Sequence, residues 1–85
     1  MKHATREGLQ PILPLLDRVR QVSRLQERSF GRFYAGAKAF LHFHEDPNGL
    51  FADLRGPDDW ERFPVTEAAQ QDALLDRIAA LLPPR

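Results

Sequence analysis

The stretch Lys38-Ala-Phe-Leu-His-Phe-His-Glu-Asp-Pro-Asn-Gly-Leu-Phe-Ala-Asp-Leu-Arg55 alternates in steps of two, turns, and alternates again. Pro47 presets φ and Gly49 admits a positive φ, so Asp46-Pro-Asn-Gly49 reads as the turn of an antiparallel hairpin. Side chains two apart on a strand share a face, and a slip of one residue would exchange the faces. Burial selects the register in which Ala39, Leu41, Phe43, Leu50, Ala52 and Leu54 form the inner face. Phe40, His42 and His44 then share the outer face with Phe51, Asp53 and Arg55. His42 is expected near Asp53, and Phe40 near Arg55.

The pattern extends outward from this hairpin. Upstream, Phe30-Gly-Arg-Phe-Tyr-Ala35 reads as a strand, joined to Lys38 by a tight turn at Gly36-Ala37. That turn would add Phe33 to the outer face. Downstream, Gly56-Pro-Asp-Asp59 is a second turn, and Trp60 to Val65 a short strand in which Pro64 belongs at an edge. Trp60, Phe63 and Val65 read as core or edge packing. Before the sheet, Leu9, Ile12, Leu13, Leu16, Val19, Val22 and Leu25 recur every three or four residues, predicting a helix from about Gln10 to Arg28. After it, Thr66 reads as an N-cap for a helix running to Leu82, where Pro83-Pro84 stops it. The expected fold is α+β: a four-stranded antiparallel meander with an N-terminal and a C-terminal helix on one face, in the order α-β-β-β-β-α. Residues 1–85 form one small domain, with residues 1–8 expected to be flexible.

A chain of 85 residues has a modest core. It has no cysteine, so neither a disulfide nor a thiolate site contributes. No apolar run approaches the roughly 18 residues of a membrane span, and a cytoplasmic setting without membrane contact is expected. Net charge is zero, but residues 1–38 carry +5 and residues 39–85 carry −5. Such a split fits two solvated faces meeting inside one fold, or a basic surface for nucleic acid.

Three function classes follow from these residues. The leading expectation is a non-catalytic binding or interaction module using the outer face, with His42, His44, Asp53, Arg55, Phe40 and Phe51 as candidates. Three phenylalanines on a solvated face would need cover, so a homodimer or a protein partner is expected. The second class is nucleic-acid binding, by Arg18, Arg20, Arg24, Arg28 and Arg32 tracking phosphates. The third is a small enzyme. A His42–Asp53 pair can orient a general base, yet no hydroxyl lies in an evident nucleophile arrangement. His42-x-His44 puts two imidazoles on one side of a strand, which are metal ligands if others converge. No cysteine and no third strand-borne histidine is evident to complete that set, so no metal and no cofactor is expected, and catalysis is disfavoured.

The run Phe30-Gly31-Arg32-Phe33-Tyr34-Ala35-Gly36-Ala37-Lys38-Ala39-Phe40 resembles the glycine, lysine and aromatic-strand stretch of the MmcQ/YjbR-like proteins, small bacterial α+β proteins. His42-Phe43-His44 with Leu50-Phe51-Ala52-Asp53-Leu54-Arg55 is similar to the His-rich strand pair of luciferase-domain-like proteins. The resemblance covers less than half of the chain. It implies a compact antiparallel sheet with flanking helices, and, for the first family, a suspected DNA-binding role. It carries no catalytic residue to this sequence.

Overall fold

The computed structural model describes residues 2–82. Lys2–His3 form β1, a turn of 3-10 helix spans Gln10–Ile12, and α1 spans Leu13–Arg20. The sheet continues with β2 (Gln26–Ser29), β3 (Arg32–Ala35), β4 (Lys38–Asp46), β5 (Gly49–Arg55) and β6 (Trp60–Pro64), and α2 spans Ala68–Leu81. The sheet is antiparallel in the order β2-β3-β4-β5-β6, with β1 also paired to β4.

The central hairpin forms as its alternation dictates. Leu41 pairs with Leu54, His42 with Asp53, Phe43 with Ala52, His44 with Phe51, and Asp46 with Gly49. Asp46 Oδ1 accepts the Asn48 backbone N–H at 2.7 Å, the local bond that makes Asp-Pro-Asn a turn. Gly49 sits at φ 138°, and a Cβ there would lie 2.6 Å from Thr66 Oγ1, so the position requires glycine twice over. Leu41, Phe43, Ala52 and Leu54 are buried in one cluster with Leu15, Leu16 and Val19 of α1 and Leu74 and Ile78 of α2. An Arg18–Asp72 ion pair joins the two helices, and Arg77 donates to both carboxylate oxygens of Glu61 at 2.8 Å, joining α2 to β6.

The sheet is larger than the expected four-stranded meander, because two segments of the sequence reading change state. The helix expected over Gln10–Arg28 ends at Arg20. Val22 and Leu25 keep their apolar spacing, but they do so in successive turns (Val22 N–H to Val19 O, Leu25 N–H to Val22 O) and pack against the core from there. Gln26–Ser29 then forms β2, and Phe30-Gly31, expected to begin a strand, is instead the turn between Ser29 and Arg32, with Gly31 at φ 74°. An apolar period near 3.6 describes spacing on one side of a chain, and a series of turns satisfies it as well as a helix does. At the other end, Lys2–His3, in the segment expected to be flexible, pair with Glu45 and His44 along β4.

Two aromatic placements also change. The turn at Gly36-Ala37 holds, with Ala35 opposite Lys38 and Tyr34 opposite Ala39, but Phe33 pairs with Leu41. One residue of β3 is therefore matched by two of β4, and Phe40 is the extra residue of a bulge. The bulge turns Phe33 to the inner face, where it is 1% exposed, and Phe40, at 5%, joins the same core. The expectation of Phe33 and Phe40 on the outer face is thus corrected. Thr66 is not the N-cap of α2 either. Its Oγ1 accepts the Leu50 N–H at 3.1 Å, while Glu67 occupies the cap and its N–H donates to Gln70 Oε1 at 3.0 Å, half of a capping box.

Candidate functional site

The outer face of β4 carries His42 and His44, and the β1 pairing lays His3 directly opposite His44. The three imidazoles converge. Ring centroids lie 4.7 Å apart for His3 and His44, 5.0 Å for His42 and His44, and 5.5 Å for His3 and His42. Each ring offers one nitrogen such that all three lie within 4.8 Å of one another. The third imidazole, which no reading of strand-borne histidines supplied, comes from a two-residue strand at the far end of the sequence. Its one local signal is an isolated histidine beside a lysine, which marks nothing by itself.

These rings are short of partners. His42 Nδ1 and both nitrogens of His44 are buried and make no hydrogen bond. His44 Nε2 lies 2.8 Å from Asp53 Oδ2, but out of line for a hydrogen bond, so the contact is electrostatic. A buried polar atom left unpaired costs about 1–3 kcal/mol, and three of them in one place call for an explanation.

Asp53 closes the inner side of the cluster. His42 is its cross-strand partner, as expected from the register. Its carboxylate nevertheless reaches the diagonal neighbour His44 rather than His42, a common consequence of sheet twist. From β6, Arg62 donates to Oδ1 at 2.8 Å and to Oδ2 at 2.9 Å. These two charge-assisted bonds hold the Asp53 carboxyl below its ordinary range, with the charges of His44 and His42 acting in the same direction. Burial lowers the His42 imidazole from its ordinary value, reinforced by His44 and opposed by Asp53. His3, although solvent-facing, is lowered by desolvation against its neighbours and by the Arg32 and His44 charges. Both rings are therefore neutral at pH 7, the form in which imidazole binds metal.

The other expected site residues divide. Phe51 stays on this face, half-buried, between His44 and Pro64. Arg55 lies away from the imidazoles: its Nε donates to Ala39 O at 2.6 Å and its guanidinium stacks 4.6 Å from the centre of the Trp60 ring. Trp60, read from sequence as packing, is the large hydrophobic residue left exposed among the described residues, at 38%, and its ring lies 4.9 Å from that of His42. With Phe33 and Phe40 in the core, the aromatic surface that called for cover by a second copy is reduced to Phe51 and Trp60.

The arginines proposed for nucleic acid are mostly engaged within the chain. Arg18 pairs with Asp72, and Arg20 with Glu27 at 2.6 Å and Asp17 at 2.8 Å. Arg28 donates to Gly36 O at 2.8 Å and lies over the Tyr34 ring. Arg24 is exposed, and Arg32 stands beside the imidazoles.

No family model, no curated protein and no solved structure matches this chain. Among the described residues no helix is long and apolar enough to cross a membrane. What the site can do follows from its own chemistry.

Proposed function

We propose that the protein is a metal-binding module, and that its ion is a first-row divalent cation such as Zn²⁺ held by His3, His42 and His44. One observation carries this reading: three imidazoles bring ligand nitrogens within 4.8 Å of one another, in a cluster where His42 Nδ1 and His44 Nδ1 are buried with no hydrogen-bond partner. Imidazole suits Zn²⁺, Cu²⁺, Ni²⁺ and Fe²⁺, and disfavours the oxygen-seeking Ca²⁺ and Mg²⁺. With metal–nitrogen bonds of about 2.0–2.1 Å, tetrahedral ligands stand about 3.4 Å apart. Closing from 4.8 Å needs small side-chain rotations, for which the exposed His3 has the most room.

Asp53 supports the same reading from behind. A carboxylate against the far nitrogen of a metal-binding imidazole orients the ring and raises its basicity. Asp53, itself anchored by Arg62, lies 2.8 Å from His44 Nε2, so a rotation of the ring would align that pair and leave His44 Nδ1 for the ion. A binding module on this face was the leading expectation; an ion as its ligand departs from the expectation of no metal, and His3, the third imidazole, is the reason for the change.

Calorimetric titration of the purified chain with Zn²⁺ near pH 7.5 tests the reading. One ion per chain is expected, with saturable ¹H–¹⁵N shifts confined to the His3, His42 and His44 neighbourhood. Binding that persists unchanged in His3→Ala, or no saturable binding at all, overturns it.

A further inference from the structure

Three imidazoles leave a tetrahedral ion one ligand short. Asp53 is poorly placed to be the fourth, because both of its oxygens are engaged by Arg62. Among the described residues, no carboxylate or thiol joins the three rings in the convergent set. Of the three rings His3 is the exposed one, so a further ligand would reach the ion from its side.

What stands beside it is a second positive charge. Phe33 pairs with Leu41, so the antiparallel register continues with Arg32 alongside His42, and the Arg32 charge is felt at both His42 and His3. Arg32 is exposed and makes no ion pair with a carboxylate among the described residues. A guanidinium next to a divalent cation is repulsive, whereas the same guanidinium is attractive toward an anion bound to that cation. Trp60, backed by Arg55, forms an aromatic wall at His42. The surroundings of the open position are thus partly apolar, and among the described residues the one carboxylate against the rings, Asp53, is already paired with Arg62, whereas Arg32 has no such partner.

We propose that the fourth position takes an oxygen of a small oxyanion, a carboxylate or a phosphoryl group, and that the Arg32 guanidinium holds a second oxygen of the same group. The proposal rests on the metal-binding reading and names the ligand that completes it. Arg32 selects the anion rather than the metal, because its fork of N–H donors matches two oxygens on one centre.

The test uses the Co²⁺-loaded chain, whose visible absorption bands change when a ligand at the ion is exchanged. Titration with acetate and with methylphosphonate should shift those bands saturably. Arg32→Gln should weaken that response about tenfold, the loss of one charge-assisted contact, while Co²⁺ itself binds as tightly as before or more tightly. A response to acetate alone makes a carboxylate the ligand, and a response to methylphosphonate alone makes it a phosphoryl group; either supports the proposal. If Co²⁺ binds but neither anion changes the spectrum, or if Arg32→Gln responds as the parent does, the proposal is wrong and the metal reading stands. If Co²⁺ does not bind at all, both fall.

Discussion

The two faces of the β4–β5 hairpin are made from the same alternating residues, yet they are held in different ways. On the inner face Leu41, Phe43, Ala52 and Leu54 pack against both helices, and every group there is apolar. On the outer face His42, His44 and Asp53 lie side by side with buried nitrogens unpaired, and their neighbours come from other elements: Arg62 of β6, which neutralises Asp53, and the third imidazole, of β1. Hydrophobic burial is non-directional and tolerates many partners, whereas imidazole and carboxylate groups need partners at defined positions. The inner face supplies stability. The outer face places poorly satisfied groups where a ligand can satisfy them, at some cost to that stability.

Substitutions on the two faces should therefore separate stability from binding. Leu54→Ala removes a fully buried side chain and is expected to cost about 2–5 kcal/mol, a large part of what so small a domain has. Chemical denaturation would measure it, and a loss under 1 kcal/mol would mean that the inner face is not the core. Asp53→Asn leaves the Arg62 fork and the His44 ring without their carboxylate. A cost of about 1–2 kcal/mol is expected, together with roughly 10–100-fold weaker Zn²⁺ binding if Asp53 orients His44. A loss of stability with Zn²⁺ affinity unchanged would make Asp53 purely structural.

Of the two faces, acid should act on the outer one and not on the apolar inner one, and in two windows. Because His42 and His3 are lowered in the folded chain, the unfolded chain takes up their protons first. Stability is then full above the ordinary imidazole value of about 6.5, and falls as pH drops from there towards the lowered folded values. Asp53 contributes at the other end: the stability from its lowered carboxyl is present above the ordinary carboxylate value and is lost as pH falls through the folded one. Denaturation midpoints measured at intervals from pH 8 to pH 3 should show both losses. A flat profile between pH 7 and pH 5 would contradict the lowering of His42 and His3. The smallest effect on stability belongs to His3→Ala, a solvent-facing change expected to fall within about 0.5 kcal/mol in metal-free protein. The same change should weaken Zn²⁺ binding roughly 100-fold or more, since it deletes a ligand rather than a support. Zn²⁺ should also raise amide-exchange protection at His3 and Ala4, because the ion would tie β1 to β4.

Much of this architecture was legible in the residues. Alternation between Lys38 and Arg55 and the turn chemistry at Asp46-Pro-Asn-Gly49 set the hairpin, burial chose between its registers, and the structure agrees pair by pair from Leu41–Leu54 to Asp46–Gly49. The outer face was less legible. Phe33 and Phe40 were misplaced because a bulge inserts one residue, and no local pattern marks where a bulge falls. Trp60 was read as packing, because an aromatic residue at a strand start carries no sign of which side it will face.

By itself, then, the sequence determined whatever depends on neighbours a few residues apart: strand period, turn positions, the apolar stripes, and His42 and His44 on one side of β4. Only the tertiary structure decided what depends on residues distant along the chain. It brought His3 against His44, Arg62 onto Asp53, and Arg32 beside His42. The physical reason is that side-chain period is a local property of the backbone, while the convergence of ligands depends on which strand edges pair. That pairing follows from burying the whole apolar surface at once, and no single stretch of the chain records it.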